Sequence, residues 1–111
     1  MVKVLTSNEE LIKASVEVIK KYLPNAVVIV YGSRARGDYK PNSDLDVAIL
    51  TENKIPASLM AQLREELDEL PTLVSFDLVD LNSVSEEFKR TVLKEGKVVY
   101  DGRGKKETRK S

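Results

Sequence analysis

Five residues of this sequence are of types and spacings that could do chemistry together. Gly32 and Ser33 follow directly on an unbroken apolar run, AVVIVY at 26–31. A glycine in that position lets the backbone approach a ligand closely, and a short hydroxyl beside it can bind a phosphate oxygen. Asp44 and Asp46 stand two apart at the start of a second run, LDVAIL at 45–50. In an extended chain they project from one face, with Cα atoms roughly 6.5–7 Å apart. Carboxylates so placed converge on one point. Mg²⁺ is held in this way, by one or two carboxylates plus substrate phosphates at about 2.0–2.1 Å. Asp77, in FDLVD, interrupts a segment otherwise suited to a buried strand, where an unpaired carboxylate is costly. If its strand lies beside that of Asp44 and Asp46, the three make a site able to hold two metals roughly 3.5–4 Å apart. Asp80 falls on the opposite face from Asp77 by strand alternation and is expected to be a turn or cap residue.

Each of these residues has an ordinary reading taken singly. Gly-Ser is a turn, Asp44 follows two turn formers, Asn42 and Ser43, and Asp46 suits the solvent side of an amphipathic strand. Taken together they put two like charges on same-face positions of a strand whose other face, Leu45, Val47 and Ile49, reads as buried. That arrangement costs stability unless a cation neutralises it. Arg34 and Arg36 lie in the intervening segment and are candidates to add positive potential beside phosphates, or to meet a partner. The sequence contains neither cysteine nor histidine, which removes thiolate and imidazole metal ligands and the usual triad base. Any catalysis therefore runs on carboxylates.

The elements that must position these residues are legible from periodicity. Ser7 followed by Glu10 reads as a capping box, and Leu11, Ile12, Val16, Ile19 and Leu23 recur at helical spacing up to Pro24. Residues 26–31 read as a strand buried on both faces. After a polar loop, 45–50 reads as a second strand, and Pro56 suits the first turn of a helix over 57–70, striped by Leu59, Met60, Leu63, Leu67 and Leu70. A third strand is expected over 73–81, a helix capped by Ser83 and Glu86 and ended by Gly96, and a short strand KVVY at 97–100. The order αββαβαβ predicts an α/β fold, a small mixed sheet of about four strands with helices packed against it.

Length and charge bound the rest. A chain of 111 residues with 41% hydrophobic and 32% charged content suits one domain, expected over 1–101. The last eleven residues hold five basic and two acidic side chains, a surplus of three, so residues 1–100 carry three net negative charges. That balance argues against nucleic acid as a direct substrate, which asks for a basic face. Residues 102–111 lack any apolar side chain and are expected to be a disordered basic tail. No run reaches the ~20 apolar residues a bilayer span needs, and the N-terminus lacks a signal peptide's apolar stretch, so a cytoplasmic protein without membrane contact is expected.

Gly32-Ser33, ten intervening residues, then Asp44-Leu45-Asp46 resembles the signature of the DNA polymerase beta-like nucleotidyltransferases. RARGD after the serine, and a later strand of hydrophobic-Asp-hydrophobic pattern, resemble the minimal prokaryotic branch, and the likeness covers nearly all of the ordered chain. The resemblance implies a nucleotidyltransferase fold and transfer of a nucleoside monophosphate, AMP from ATP, to an acceptor hydroxyl. It implies Gly32 and Ser33 on the nucleotide's phosphates, and Asp44, Asp46 and Asp77 on two Mg²⁺ ions, or Mn²⁺ in their place, with Asp77 helping to deprotonate the acceptor. Larger members carry extra domains that hold the acceptor, and this chain ends just after its fourth strand. The resemblance therefore implies that a helical HEPN-family protein supplies the acceptor tyrosine, in a toxin–antitoxin pair in which this chain is the antitoxin. Two alternatives stay open at this point: an antitoxin or regulatory subunit that only binds, and transfer to a small alcohol such as an aminoglycoside, for which a homodimer or added subunit would have to build the pocket.

Overall fold

The capping box forms as its spacing requires. Ser7 Oγ accepts from Glu10 N at 3.0 Å and Glu10 Oε1 accepts from Ser7 N at 3.2 Å, which starts helix α1 (Asn8–Tyr22). The computed structural model describes residues 3–104. Four strands follow in the expected places: β1 (Val27–Tyr31), β2 (Leu45–Leu50), β3 (Phe76–Asp80) and β4 (Lys97–Asp101). They form one sheet in the order β3-β2-β1-β4, with β1 antiparallel to both neighbours and β2 parallel to β3. A mixed sheet of this kind needs a crossover between its parallel strands, and α3 (Ala57–Asp68) supplies it.

Strand alternation splits the apolar residues between two faces. Val28, Val30, Leu45, Val47, Ile49 and Leu78 pack with Leu11, Ile19, Leu63 and Leu67 of α1 and α3, all at or near zero exposure. The reverse face carries Val27, Ile29, Ala48 and Leu81, covered by Val92 of α4 (Glu86–Glu95). β1 is thus buried on both sides, as its unbroken β-branched run demands. Truncating a fully buried leucine such as Leu63 to alanine removes about 2–5 kcal/mol of stability.

Several boundaries differ from the sequence-based expectation, each for a local reason. The segment after Gly32, expected as loop, contains one helical turn, α2 (Ser33–Arg36), closed by Gly37 in the left-handed conformation at φ 94°. Pro56 stands at the N-cap of α3 rather than inside its first turn, and α3 ends at Asp68, two residues early. α4 is capped by Ser85, whose Oγ accepts from Phe88 N at 3.1 Å. Ser83 is not the cap, because its hydroxyl donates to Asp80 Oδ2 at 3.2 Å. β3 is shorter than 73–81, and Leu73 stands outside it, fully exposed to solvent. Order also runs slightly past residue 101: Gly102 is buried with its N–H on Ala26 O at 2.8 Å. Residues 105–111 of the expected tail lie outside the described residues.

Candidate functional site

Pairing across the sheet brings the candidate carboxylates together. Tyr31 at the end of β1 is the Cα partner of Asp46 on β2, and Asp46 is the partner of Asp77 on β3. The three side chains therefore form one row on the α4 face of the sheet. Asp44 lies two residues before Asp46, exposed, where the loop enters β2. The expected burial of Asp77 is not found. β3 is an edge strand whose start is left uncovered, and the Asp77 carboxylate is exposed. Asp80 is the buried carboxylate of that strand, 4% exposed, and it is fully occupied. It accepts from Ile55 N at 2.8 Å, Asn82 N at 2.9 Å and the Ser83 hydroxyl, the turn role anticipated for it.

The row is electrostatically strained. Burial pushes the Asp46 carboxyl above the usual aspartate range, and Asp77 and Asp44 push it further, with Arg36 opposing. Tyr31 is driven up to about 12, by burial first and then by the charges of Asp77 and Asp46. Its ring meets Phe88 of α4 edge-on, with centroids 5.8 Å apart. Tyr31 was not among the candidate residues. Its identity alone gave no sign of its place, which follows only from the β1–β2 register.

Gly32 packs against this row. It holds φ 78°, and a Cβ added there would fall onto Asp46 Oδ2. Expected to admit a ligand to the backbone, Gly32 admits the Asp46 carboxylate, so that the first turn of α2 closes directly over the acid. No side chain caps that turn, and Ser33 stands half-buried at its start.

The two arginines divide. Arg36 is exposed, pairs with Asp38 at 3.5 Å, and lies near enough to Asp46 to favour its charged form. Arg34 does not face the site as a phosphate ligand would. It is 3% exposed, and its guanidinium donates to the backbone oxygens of Ser43 (2.9 Å) and Pro41 (3.1 Å) and to Asn8 Oδ1 (3.3 Å).

The residues present fit a hard divalent cation. The donors are carboxylate oxygens, two of them directly paired across parallel strands, and their mutual repulsion is what a cation relieves. Among the described residues no three acids stand as a closed ligand set. Mg²⁺ is commonly bound by one or two carboxylates with water and substrate phosphate rather than by an all-protein cage. Two clefts lie elsewhere. One of about 310 Å³ flanks α3 and Asp80, and one of about 810 Å³, lined by Tyr22, Asn25, Thr51, Lys54, Lys89 and Arg103 among others, opens at the far end of β1 and β2.

Comparison with known proteins extends this picture. The family described as polymerase beta, nucleotidyltransferase matches residues 9–104. The chain is 31% identical over 77 residues to the probable protein adenylyltransferase MntA of Haemophilus influenzae, spanning 69% of this chain and 68% of that protein. It is 28% identical over 105 residues to the protein adenylyltransferase MntA of Aphanizomenon flos-aquae, spanning 86% and 69%. Among solved structures, a toxin–antitoxin complex with AMP-PNP superposes with a TM-score of 0.67 at 26% identity, over 86% of this chain and 74% of that one. An MNT antitoxin in complex with a tri-AMPylated HEPN toxin of Shewanella oneidensis shares the fold, with a TM-score of 0.63 at 19% identity over 86% and 73%.

Proposed function

The chain belongs to the polymerase beta nucleotidyltransferase family, and from that premise we propose that it transfers AMP from ATP to a tyrosine hydroxyl of a HEPN-family toxin, acting as its antitoxin. The observation that carries this reading is the row of Asp46 and Asp77 on adjacent parallel strands, closed over by the Gly32 turn. The similarity to protein adenylyltransferases and to a toxin–antitoxin complex with AMP-PNP supports adenylate as the group moved and a protein as its acceptor. An open site supports the same acceptor class: Asp44 and Asp77 face solvent at the end of the sheet, and the two clefts lie away from them.

Enzymes of this family use divalent metal ions. Asp44, Asp46 and Asp77 would hold two Mg²⁺, or Mn²⁺, which when bound neutralise charge on the α-phosphate and its leaving group. The chain's own residues do the remainder. Gly32 keeps the Asp46 carboxylate tight against the α2 turn, and the Ser33 hydroxyl donates to a phosphate oxygen. Arg36 adds positive potential at the open side. Asp77, exposed at the edge, accepts the proton of the acceptor hydroxyl as its oxygen bonds to the α-phosphorus and pyrophosphate departs. Reactions of this class need alignment and charge neutralisation more than covalent chemistry, which suits a site without histidine or cysteine. No helix among the described residues is long and apolar enough to cross a membrane, and we place the protein in the cytoplasm, where ATP is available.

Position-specific labelling tests the reaction. ATP labelled at the α-phosphate should transfer label to the HEPN protein, and ATP labelled at the γ-phosphate should not. Transfer of γ-label would replace adenylyl transfer with a kinase reaction.

A further inference from the structure

A buried arginine next to a cluster of acids would ordinarily be paired with one of them. Arg34 is not: among the described residues no carboxylate lies within ion-pair distance of it, and its whole fork is directed at neutral oxygens. Nε donates to Ser43 O at 2.9 Å, one Nη to Pro41 O at 3.1 Å and the other to Asn8 Oδ1 at 3.3 Å. Asn8 answers through its Nδ2 to the Arg34 carbonyl at 3.3 Å. The Tyr39 ring covers the guanidinium at 4.5 Å, a cation–π contact that offsets part of the desolvation of the charge. The same loop is cinched by Ser43, whose N–H donates to Lys40 O and whose Oγ accepts from Lys40 N, both at 2.9 Å.

The placement of these acceptors is specific. Ser43 O belongs to the peptide unit that leads into Asp44, so fixing that oxygen fixes the backbone from which the Asp44 side chain leaves. On the other side, Leu45 N donates to Ser75 O at 2.9 Å and anchors the residue after it. Asp44 is exposed and carries the same charge as Asp46 and Asp77, so repulsion and solvation both draw an unrestrained loop outward. We propose that Arg34 is a positioning residue: a buried clamp that ties α1, α2 and the 39–43 loop together and holds Asp44 where it can share a divalent cation with Asp46. The inference rests on the metal-dependent reading above. It gives the arginine after Gly32-Ser33 a task that does not involve the nucleotide. The planar fork is essential, since three donors in fixed directions reach three acceptors on two chain segments. Lysine keeps the charge but presents a single donor centre and cannot reproduce the fork.

The test is Mn²⁺ binding to the full chain, followed by electron paramagnetic resonance of the free ion, on wild type, Arg34→Lys, Asp44→Asn and the double variant, with folding checked by circular dichroism. Arg34→Lys should weaken Mn²⁺ about tenfold, and in the transfer assay it should raise the Mg²⁺ concentration for half-maximal rate while leaving the rate at saturating Mg²⁺ within about threefold of wild type. In the Asp44→Asn background Arg34→Lys should add less than a further twofold, because the ligand it positions is gone; additive losses would mean that Arg34 acts on something other than Asp44. Should Arg34→Lys fail to fold, Asn8→Ala and Tyr39→Leu each remove one support of the clamp and should weaken Mn²⁺ two- to fourfold. Wild-type Mn²⁺ affinity in a folded Arg34→Lys, or in both supporting variants, overturns the clamp. Unchanged Mn²⁺ affinity in Asp44→Asn overturns instead the metal assignment on which it stands.

Discussion

Asp46 is held at a position where burial and two neighbouring acids oppose its ionisation. A carboxyl whose folded pKa is raised contributes stability below its unfolded pKa and loses that contribution as pH rises through the folded value. Metal-free Asp46→Asn should therefore melt slightly higher than wild type at pH 7, with the difference vanishing toward pH 3, while transfer falls by at least a hundredfold. Thermal melts with chelator and a labelled-AMP assay measure the two separately, and near-wild-type transfer would remove Asp46 from the metal site. Gly32→Ala should act on the same carboxylate from the other side. The added methyl meets Asp46 Oδ2 and the φ of 78° suits only glycine, so a stability loss of about 1–2 kcal/mol is expected with more than tenfold loss of transfer. Ser33→Ala removes one hydroxyl from an otherwise unchanged turn and should cost less than tenfold. The reverse ordering would exclude the Asp46–Gly32 contact as the reason for the glycine. The acids themselves were visible in the sequence because charge within β-branched runs stands out. The tasks of Gly32 and Arg34 were not, since both depend on oxygens brought near by the fold.

At the scale of elements, β3 separates two aspartates that look alike in the sequence. Asp80→Asn keeps the size of a buried group with three donors aimed at it but turns one oxygen into an amide donor, at an expected cost of about 1–3 kcal/mol and no more than a twofold change in transfer. Asp77→Asn, exposed on the opposite face, should leave the denaturation midpoint in place and reduce transfer strongly. A chemical denaturation series beside the transfer assay checks the crossing pattern. Helices α1 and α3 are joined by Glu66, which accepts from Lys21 Nζ at 2.7 Å and from the Tyr22 hydroxyl, and its carboxyl is lowered to about 2, by Lys21 first and then by Tyr22 and Gln62. The sign for a lowered acid is stability present above about pH 4.5 and lost as pH falls toward 2. Glu66→Gln should flatten the fall of melting temperature over that window, and an unchanged slope would mean that solvent screening has cancelled the pair. α1 was legible because its helical period repeats over fifteen residues, and β1 because its β-branched run is unbroken. α2 was not, since four residues between two glycines carry no period, and the choice between Ser83 and Ser85 as cap was decided by Asp80, which binds the first and leaves the second.

For the whole molecule, the sheet order puts the carboxylate row at one end and the two clefts at the other, so an acceptor would meet the acids from solvent. The αββαβαβ order was readable from the alternation of periods. The strand sequence β3-β2-β1-β4, which makes Asp46 and Asp77 neighbours, was not, because pairing partners are set by long-range packing. Leu73, almost wholly exposed just ahead of β3, precedes Asp77 by four residues and would offer an apolar contact to a protein acceptor that approaches there. Leu73→Asp should weaken association with the HEPN protein at least fivefold by calorimetry without altering Mn²⁺ affinity. The most direct test of the account is intact-mass spectrometry of that HEPN protein after incubation with the chain, ATP and Mg²⁺. One or more additions of about 329 Da each, the mass of an AMP unit by the stoichiometry of the transfer, are expected on a tyrosine, absent with an Asp44→Asn, Asp46→Asn double variant. An unmodified HEPN protein that is nonetheless fully inhibited, by wild type and double variant alike, would contradict catalysis and leave binding as the function.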